Sequence, residues 1–200
     1  IKEYYQKRRP ETADSNILDL YIWLNCYPTW YFTNDKGLMW VAKSEDGQYY
    51  SSIPCCKDED LKECFLETQK YFNEVLQKKL VMYVVDKAAV DLLQLPEDEY
   101  VVVPDRTYAD YVYDAEKLRT FSGKKYHKKK NHLNAFKREY EGRYEFKFLS
   151  KKDEPEILAF LEDWKKHKSD TEEHEFIDSE AVGIKYILEH EEVFDYKIGA

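Results

Sequence analysis

The chain has 200 residues, of which 43% are apolar and 16% aromatic, with only six Gly and six Pro. This composition excludes a disordered or collagen-like chain, and the length suits one large domain or two small ones with a hydrophobic core. The formal net charge of −9 favours an acidic surface that repels nonspecific nucleic acid.

The charge is unevenly distributed along the chain. Between Lys117 and Arg143, ten Lys and Arg residues stand against two Glu, a local charge of +8, so that the overall −9 leaves −17 for the rest. A basic island of this kind attracts polyanions, phosphates or acidic partners. It is therefore the first candidate for a functional surface.

The sequence contains no apolar run that could cross a membrane, since runs such as 80–85 are far shorter than the roughly 20 residues required. The start lacks both an initiator Met and the apolar core of a signal peptide, so we expect part of a longer, cytoplasmic chain. The cysteines show no C-x-x-C spacing, which favours reduced, buried thiols. These are Cys26, Cys55, Cys56 and Cys64.

The first half of the chain predicts two helices, a meander and a longer helix. The helices are expected at Lys2–Arg9, stopped by Pro10, and at Ser15–Asn25. Three aromatic and β-branched runs separated by turn signals predict an antiparallel meander. Its strands are 30–33, 38–43 and 48–53. Apolar residues at helical spacing within Asp58–Lys79 predict an amphipathic helix that packs on the meander.

The remainder predicts alternating strands and helices. Leu80–Asp86 has the near-continuous apolar pattern of a buried central strand. A short helix through Leu95 follows, and then a strand. After the basic island a second strand begins a new β-α unit, and Asp153 is expected to cap the helix of that unit. These two strands are 100–103 and 144–149. A mobile loop at 165–175, a helix at 179–190 and a final strand at 196–200 complete the prediction, the last pairing either with the first unit or with further chain.

The basic island contains one predicted helix, which begins after Gly123 and runs to Tyr140. Tyr126, Leu133, Phe136 and Tyr140 form one stripe at helical spacing, which is expected to face the core. The other faces are cationic. Their candidate anion-binding residues are Lys124, Lys125, Lys128, Lys129, Lys130, Asn131 and Asn134.

Two interpretations of the lysine run are open, a solvated helix face and a binding surface. Five Lys within residues 124–130 repel one another and oppose the helix dipole near its N-terminus. A bound anion would offset that cost, which favours a binding surface.

The segment also resembles a known family. The string 123–136, GKKYHKKKNHLNAF, preceded by DYVY at 110–113, is similar to the signature of an uncharacterised bacterial family related to the phosphatidylglycerol lysyltransferase C-terminal domain. The resemblance implies two tandem GNAT-like acyl-CoA N-acyltransferase domains with mixed α/β (α+β) structure and mostly antiparallel central sheets flanked by helices. The implied parts are a first domain at 1–113, a basic connecting helix at 114–143 and the start of a second, incomplete domain at 144–200.

The resemblance implies acyl or aminoacyl transfer. No Arg/Gln-x-x-Gly-x-Gly/Ala loop for the CoA pyrophosphate is present, so acyl-CoA is a doubtful donor and no cofactor is evident. An aminoacyl-tRNA donor fits the basic helix better. The rival hypothesis is a noncatalytic module that binds nucleic acid or an anionic lipid surface through the same helix.

Other constellations are weaker. We predict no metal site, because His127 and His132 are surrounded by Lys, and we expect a solvated loop rather than a cation site around His167 and His174. Cys26 or Cys64 would need a nearby His to act as a nucleophile. Four residues are candidates for acid–base or oxyanion roles by position alone, so the catalytic residues stay unknown. They are Asp110, Tyr111, Tyr113 and His127.

Overall fold

A computed structural model describes residues 1–8, 11–168, 174–194 and 196–200. The α-helices are Lys2–Tyr5 (α1), Ile17–Trp23 (α2), Leu61–Lys70 (α3), Lys87–Leu93 (α4), Ala115–Thr120 (α5), His127–Glu139 (α6), Glu154–Lys168 (α7) and His174–Glu189 (α8). The strands are Thr29–Thr33 (β1), Leu38–Lys43 (β2), Tyr49–Tyr50 (β3), Phe148–Leu149 (β4) and Ile198–Gly199 (β5). The chain is thus a mixed α/β protein with antiparallel sheets, as predicted. None of these helices combines the length and apolar character needed to cross a bilayer.

The two N-terminal helices are shorter than predicted. α1 ends at Tyr5 and not at Arg9, which, like Pro10, lies outside the described residues. α2 begins after Asn16, whose side chain accepts hydrogen bonds from the amides of Leu18 and Asp19. This cap satisfies two of the amides that a helix start leaves unpaired, which explains why the helix begins there.

The predicted antiparallel meander is confirmed, with strand order β1-β2-β3. The β1–β2 turn closes on Asn34, whose Oδ1 accepts hydrogen bonds from the amides of Lys36 at 2.8 Å and Gly37 at 2.7 Å. A Cβ at Gly37 would stand 2.8 Å from the Cys64 sulfur. Glycine at this position therefore lets the turn approach the next helix closely.

The helix predicted at Asp58–Lys79 is also confirmed, in three consecutive parts. A 3-10 turn at Asp58–Asp60 leads into α3, which continues as a π-helix at Tyr71–Leu76. α3 packs on β2 and contributes to the core. The fully or largely buried members of that core are Met39, Ile53, Cys56, Leu61, Cys64, Phe65, Ala89 and Leu93.

Two predicted strands do not form. Leu80–Asp86 makes a single parallel bridge, in which Ser51 donates to the Val81 carbonyl at 2.9 Å and accepts from the Tyr83 amide at 3.1 Å. Val84 has φ 54, which interrupts an extended backbone and ends the pairing. The residues at 100–103 form no ladder with any described strand, and Val101 is 88% exposed. Both strand predictions were wrong because they rested on apolar composition alone.

The C-terminal part differs from the prediction at its boundaries. β4 covers two residues of the predicted 144–149 strand, and β5 pairs with it, so the final strand does not join the first sheet. Ser150 and not Asp153 is the N-terminal cap, and Asp153 completes a capping box with it. α7 extends to Lys168, so the predicted loop at 165–175 is wrong for residues 165–168. Residues 169–173 lie outside the description, and α8 begins at His174.

Helix α8 packs against α2 through aromatic rings and one close backbone approach. Tyr21 stacks on Tyr186 at 5.2 Å between ring centroids and meets Phe194 edge-on at 5.0 Å. Gly183 lies so close to α2 that a Cβ there would stand 2.4 Å from the Ile22 Cα. The division of the chain into parts at 1–113, 114–143 and 144–200 stays a prediction. The contact between α2 and α8 joins residues of the first part to residues of the last.

The close approach at Gly183 predicts the outcome of Gly183→Ala. Alanine normally stabilises a helix by about 1 kcal/mol relative to glycine. Here the added methyl group meets backbone atoms that cannot rotate away, so we expect the free energy of unfolding to fall by about 1–3 kcal/mol in urea denaturation. Val182→Ala is the matched control, because Val182 is 53% exposed. A stabilising Gly183→Ala substitution would contradict this packing.

Candidate functional site

The predicted basic helix is confirmed as one continuous helical segment. Gly123, with φ 91, precedes a 3-10 turn at Lys124–Tyr126, which leads directly into α6. A positive φ of this size is readily adopted only by glycine, so the residue sets the direction in which the helix starts. All seven candidate anion-binding side chains are exposed. They are Lys124, Lys125, Lys128, Lys129, Lys130, Asn131 and Asn134.

The five lysines divide into two groups by their contacts. The Lys125 ammonium lies 5.0 Å from the Tyr126 ring centroid, and the Lys129 ammonium lies 5.9 Å from that of Tyr113. Lys124, Lys128 and Lys130 form no ion pair with any described carboxylate. Their charges are therefore available to an external anion.

The apolar stripe of this helix is buried only at its start. Tyr126 is 3% exposed and meets the Phe121 ring at 6.3 Å. Leu133 is half-buried, whereas Phe136 and Tyr140 are exposed, which corrects the expectation that the whole stripe faces the core. Within the described chain, nothing packs over the C-terminal half of α6 closely enough to bury it.

The exposed end of the stripe forms an aromatic cluster. Phe136 stacks on Tyr140 with 4.8 Å between ring centroids, and the Tyr144 ring lies 5.0 Å from that of Phe136. The Arg143 guanidinium stands 5.1 Å from the Tyr140 ring centroid. One cationic side chain, Arg143, thus lies against the exposed aromatic cluster.

Within the described part of the chain, the four candidates for acid–base or oxyanion roles form no hydrogen bond or ion pair with one another. Asp110, Tyr111, Tyr113 and His127 are all exposed, and the Asp110 carboxylate accepts a hydrogen bond from the Ala13 amide at 2.8 Å. The described residues contain no cluster of three or more metal-ligating side chains. The solvated loop predicted around His167 and His174 includes residues 169–173, which lie outside the description, so that prediction stays untested there.

The cysteines are free thiols, as expected, but of the four predicted to be buried only Cys56 and Cys64 are fully so, while Cys26 and Cys55 are partly buried. The structure argues against a nucleophilic role for three of them. Burial raises the pKa of Cys55 to about 11. Burial also raises the pKa values of Cys56 and Cys64. A thiol reacts through its thiolate, so these three are poorly activated at neutral pH.

A second candidate site, which the sequence did not reveal, is a cavity of about 860 Å³ beside the meander. Its floor contains Trp40 and Ser51 from the face of the sheet opposite the α3 core, and α1 and α2 supply one wall. Eight aromatic side chains line it. They are Tyr4, Tyr5, Trp23, Tyr27, Trp40, Tyr50, Tyr83 and Tyr108. This volume lies within the range typical of small-ligand sites.

Among the described residues, one arginine lines the cavity, and it is held by carboxylates. The Arg8 guanidinium donates to Asp86 at 2.7 Å and to Asp58 at 3.0 Å. Burial alone would raise the pKa of Asp86, but hydrogen bonds from Arg8 and from the Ala89 amide hold that pKa below its ordinary value. Asp86 thus stays ionised and neutralises Arg8, so this arginine brings little free positive charge to the cavity.

Asp19 is the most perturbed carboxyl group in the cavity. Burial, with a smaller contribution from the charge of Asp14, raises its pKa to about 6. The Trp23 indole nitrogen donates to its Oδ1 at 3.2 Å, which favours the ionised form but does not offset the burial. Asp19 makes no ion pair with any described cation.

The sequence held only a weak signal for this cavity. Eighteen Tyr are unusual for the length, but a tyrosine count does not show which side chains share one space. Asp19 and Trp23 are four residues apart, the spacing that brings side chains together on one helix face. Nothing in the sequence related that pair to Trp40 or Tyr108, which reach the cavity from other segments.

The raised pKa of Asp19 predicts a pH-dependent signal at its neighbour. The Trp23 indole N–H resonance should titrate with a midpoint near pH 6 in ¹H–¹⁵N NMR spectra, and Asp19→Asn should abolish this transition. Because the folded-state pKa exceeds the ordinary 3.8, Asp19 stabilises the fold fully only below about pH 4 and loses that contribution as the pH rises through 6. Asp19→Asn should therefore gain stability relative to wild type on going from pH 4 to pH 7. A midpoint near pH 4 would contradict the burial argument.

Comparisons with known proteins place the chain in a family. A crystal structure of a conserved protein of unknown function from Bacteroides thetaiotaomicron superposes with a TM-score of 0.82 at 25% identity, over 99% of this chain and 66% of that one. An uncharacterized protein from Mycoplasmoides gallisepticum is 28% identical over 100 residues, which are 50% of this chain and 32% of the relative. The chain thus spans about a third of this curated relative. The model of the family described as "Phosphatidylglycerol lysyltransferase, C-terminal" matches residues 5–190, and the chain belongs to that family.

Proposed function

We propose that this chain is part of an acyl- or aminoacyl-transferase of GNAT-like fold, in which the basic helix binds a polyanionic donor such as aminoacyl-tRNA. The observation that carries the donor assignment is the set of exposed lysines without carboxylate partners, Lys124, Lys128 and Lys130. Membership of a lysyltransferase family supports the reaction class. The antiparallel meander with α3 on one face supports the fold assignment.

The arrangement of α6 supports a nucleic-acid donor. Lys128 and Asn131, and likewise Lys129 and His132, are three residues apart on one helix and can follow a phosphate backbone. Phe136, Tyr140 and Tyr144 supply exposed rings on which unpaired bases can stack. Proteins that bind single-stranded nucleic acid commonly combine these two features.

The positions of the glycines support a donor other than acyl-CoA. Of the six, Gly123 precedes the basic helix, and Gly37 and Gly183 are required by close packing. Gly47, Gly142 and Gly199 stand singly in other segments. No two glycines are close enough in sequence to form a pyrophosphate-binding loop, so we propose transfer without acyl-CoA.

The proposal predicts how salt affects binding of tRNA. Each phosphate contact adds about 0.7 to 0.9 to the slope of log affinity against log salt concentration. Lys128→Ala/Lys130→Ala should therefore reduce the measured slope by about 1.4 to 1.8 in filter-binding titrations at several salt concentrations.

The matched control for this experiment is Lys78→Ala/Lys79→Ala. It removes the same charge from two exposed lysines that form no ion pair within the described chain and lie outside the basic helix. Equal slopes for the two double variants would indicate nonspecific attraction by net charge. A wild-type slope near zero would exclude polyanion binding altogether.

The rival function is a noncatalytic binding module. Transfer of an amino acid from charged tRNA to an acceptor distinguishes the transferase from this module. We expect the full-length protein, incubated with tRNA charged with a labelled amino acid, to transfer the label to an amine or lipid acceptor, and Lys128→Ala/Lys130→Ala to slow that transfer at subsaturating tRNA. Salt-dependent binding without any transfer would instead favour the module.

A further inference from the structure

The aromatic cavity beside the meander has no role in the function proposed above. We propose that it binds an organic ammonium cation, namely a quaternary ammonium group on a small apolar body. This inference rests on the walls of the cavity and does not depend on whether the chain transfers an acyl group.

The charged side chains around the cavity favour a cation. Arg8 is the only cationic residue among the described residues that line it, and its guanidinium is already bound by Asp58 and Asp86. Four acidic residues line the same space and form no ion pair within the described chain. They are Asp14, Asp19, Glu45 and Asp46. The cavity therefore offers unneutralised negative charge.

Asp19 gives the strongest reason for a positive ligand. Its carboxyl group is half-buried and accepts a single side-chain hydrogen bond, from the Trp23 indole. Withdrawing a carboxylate from water without a cationic partner is unfavourable. An ammonium group in the cavity would supply that partner. Its attraction to the Asp19 carboxylate, which has no cationic partner in the described chain, would favour binding.

The aromatic walls select an organic cation over a hydrated metal ion. The Tyr50 and Tyr83 rings meet edge-on at 5.3 Å, and Tyr108 lies 6.5 Å from Tyr83, so three rings border one side. Trp40 forms part of the floor, and its ring centroid lies 6.2 Å from that of Tyr5. Aromatic faces attract weakly hydrated ammonium groups, which is the basis of quaternary ammonium recognition. The described residues hold no cluster with metal-ligand geometry here.

A pair of isosteric probes tests the proposal. Choline and 3,3-dimethyl-1-butanol have the same shape, but only choline is charged. Isothermal titration calorimetry should show choline bound at least about tenfold more tightly than the alcohol, a difference of about 1.4 kcal/mol. In NMR spectra, choline should shift the Trp23 and Trp40 indole resonances, because both rings line the cavity. Equal affinities would overturn the proposal, since an apolar pocket alone would explain them, and so would no binding of either probe.

Two substitutions then identify the groups responsible. Asp19→Asn should weaken choline binding about tenfold at pH 7 and leave the alcohol unchanged. Asp91→Asn is its control, because Asp91 pairs with Lys87 outside the cavity. Tyr108→Leu, at the exposed rim, should weaken choline binding about threefold, whereas Tyr144→Leu, outside the cavity, should not. Choline affinity unchanged in both cavity variants would show that the cation binds elsewhere.

Discussion

The burial of β2 on both faces is the constraint on which the rest of the molecule depends. Alternate side chains of a strand point to opposite sides, so Met39 joins the core under α3 while Trp40 and Ala42 face the cavity. All residues from Leu38 to Ala42 are buried. One strand thus forms the edge of the hydrophobic core and the floor of a candidate site, and a change in its register would exchange the two faces.

The elements that could be predicted from the sequence are those whose pattern lies within one contiguous segment. The meander follows from turn residues and aromatic runs, and α3 from apolar residues at helical spacing. The strands predicted at Leu80–Asp86 and at 100–103 do not form, for a common reason. A strand requires a neighbouring strand to pair with, as well as apolar residues. Val84 turns the first segment out of the extended conformation, and Val101 has no partner in the described structure. Pairing partners are distant in sequence, so composition could not supply them.

The two candidate sites, the basic helix and the aromatic cavity, differ in how far the sequence could predict them. The basic helix is a local feature, since Gly123 and the lysines of 124–130 are contiguous and their charge can be counted directly. The cavity requires α1, α2, the meander and the segment around Tyr83 and Tyr108 to meet in space. Its defining property, a half-buried Asp19 without a cationic partner, arises only when those segments pack together. No sequence pattern within any one of them encodes it.

The two surfaces also have opposite electrostatic requirements, and this gives the charge distribution a physical meaning. Lysines 128 and 130 attract phosphate groups, whereas Asp14 and Asp19 repel them from the cavity. A cationic ligand is subject to the reverse preference, since the lysine face repels it and the aromatic, acidic walls attract it. The net charge of −9 is therefore best understood as a large acidic majority and a basic minority in separate places. On the two proposals made above, this separation would let one chain bind the anionic donor and the ammonium ligand at different sites.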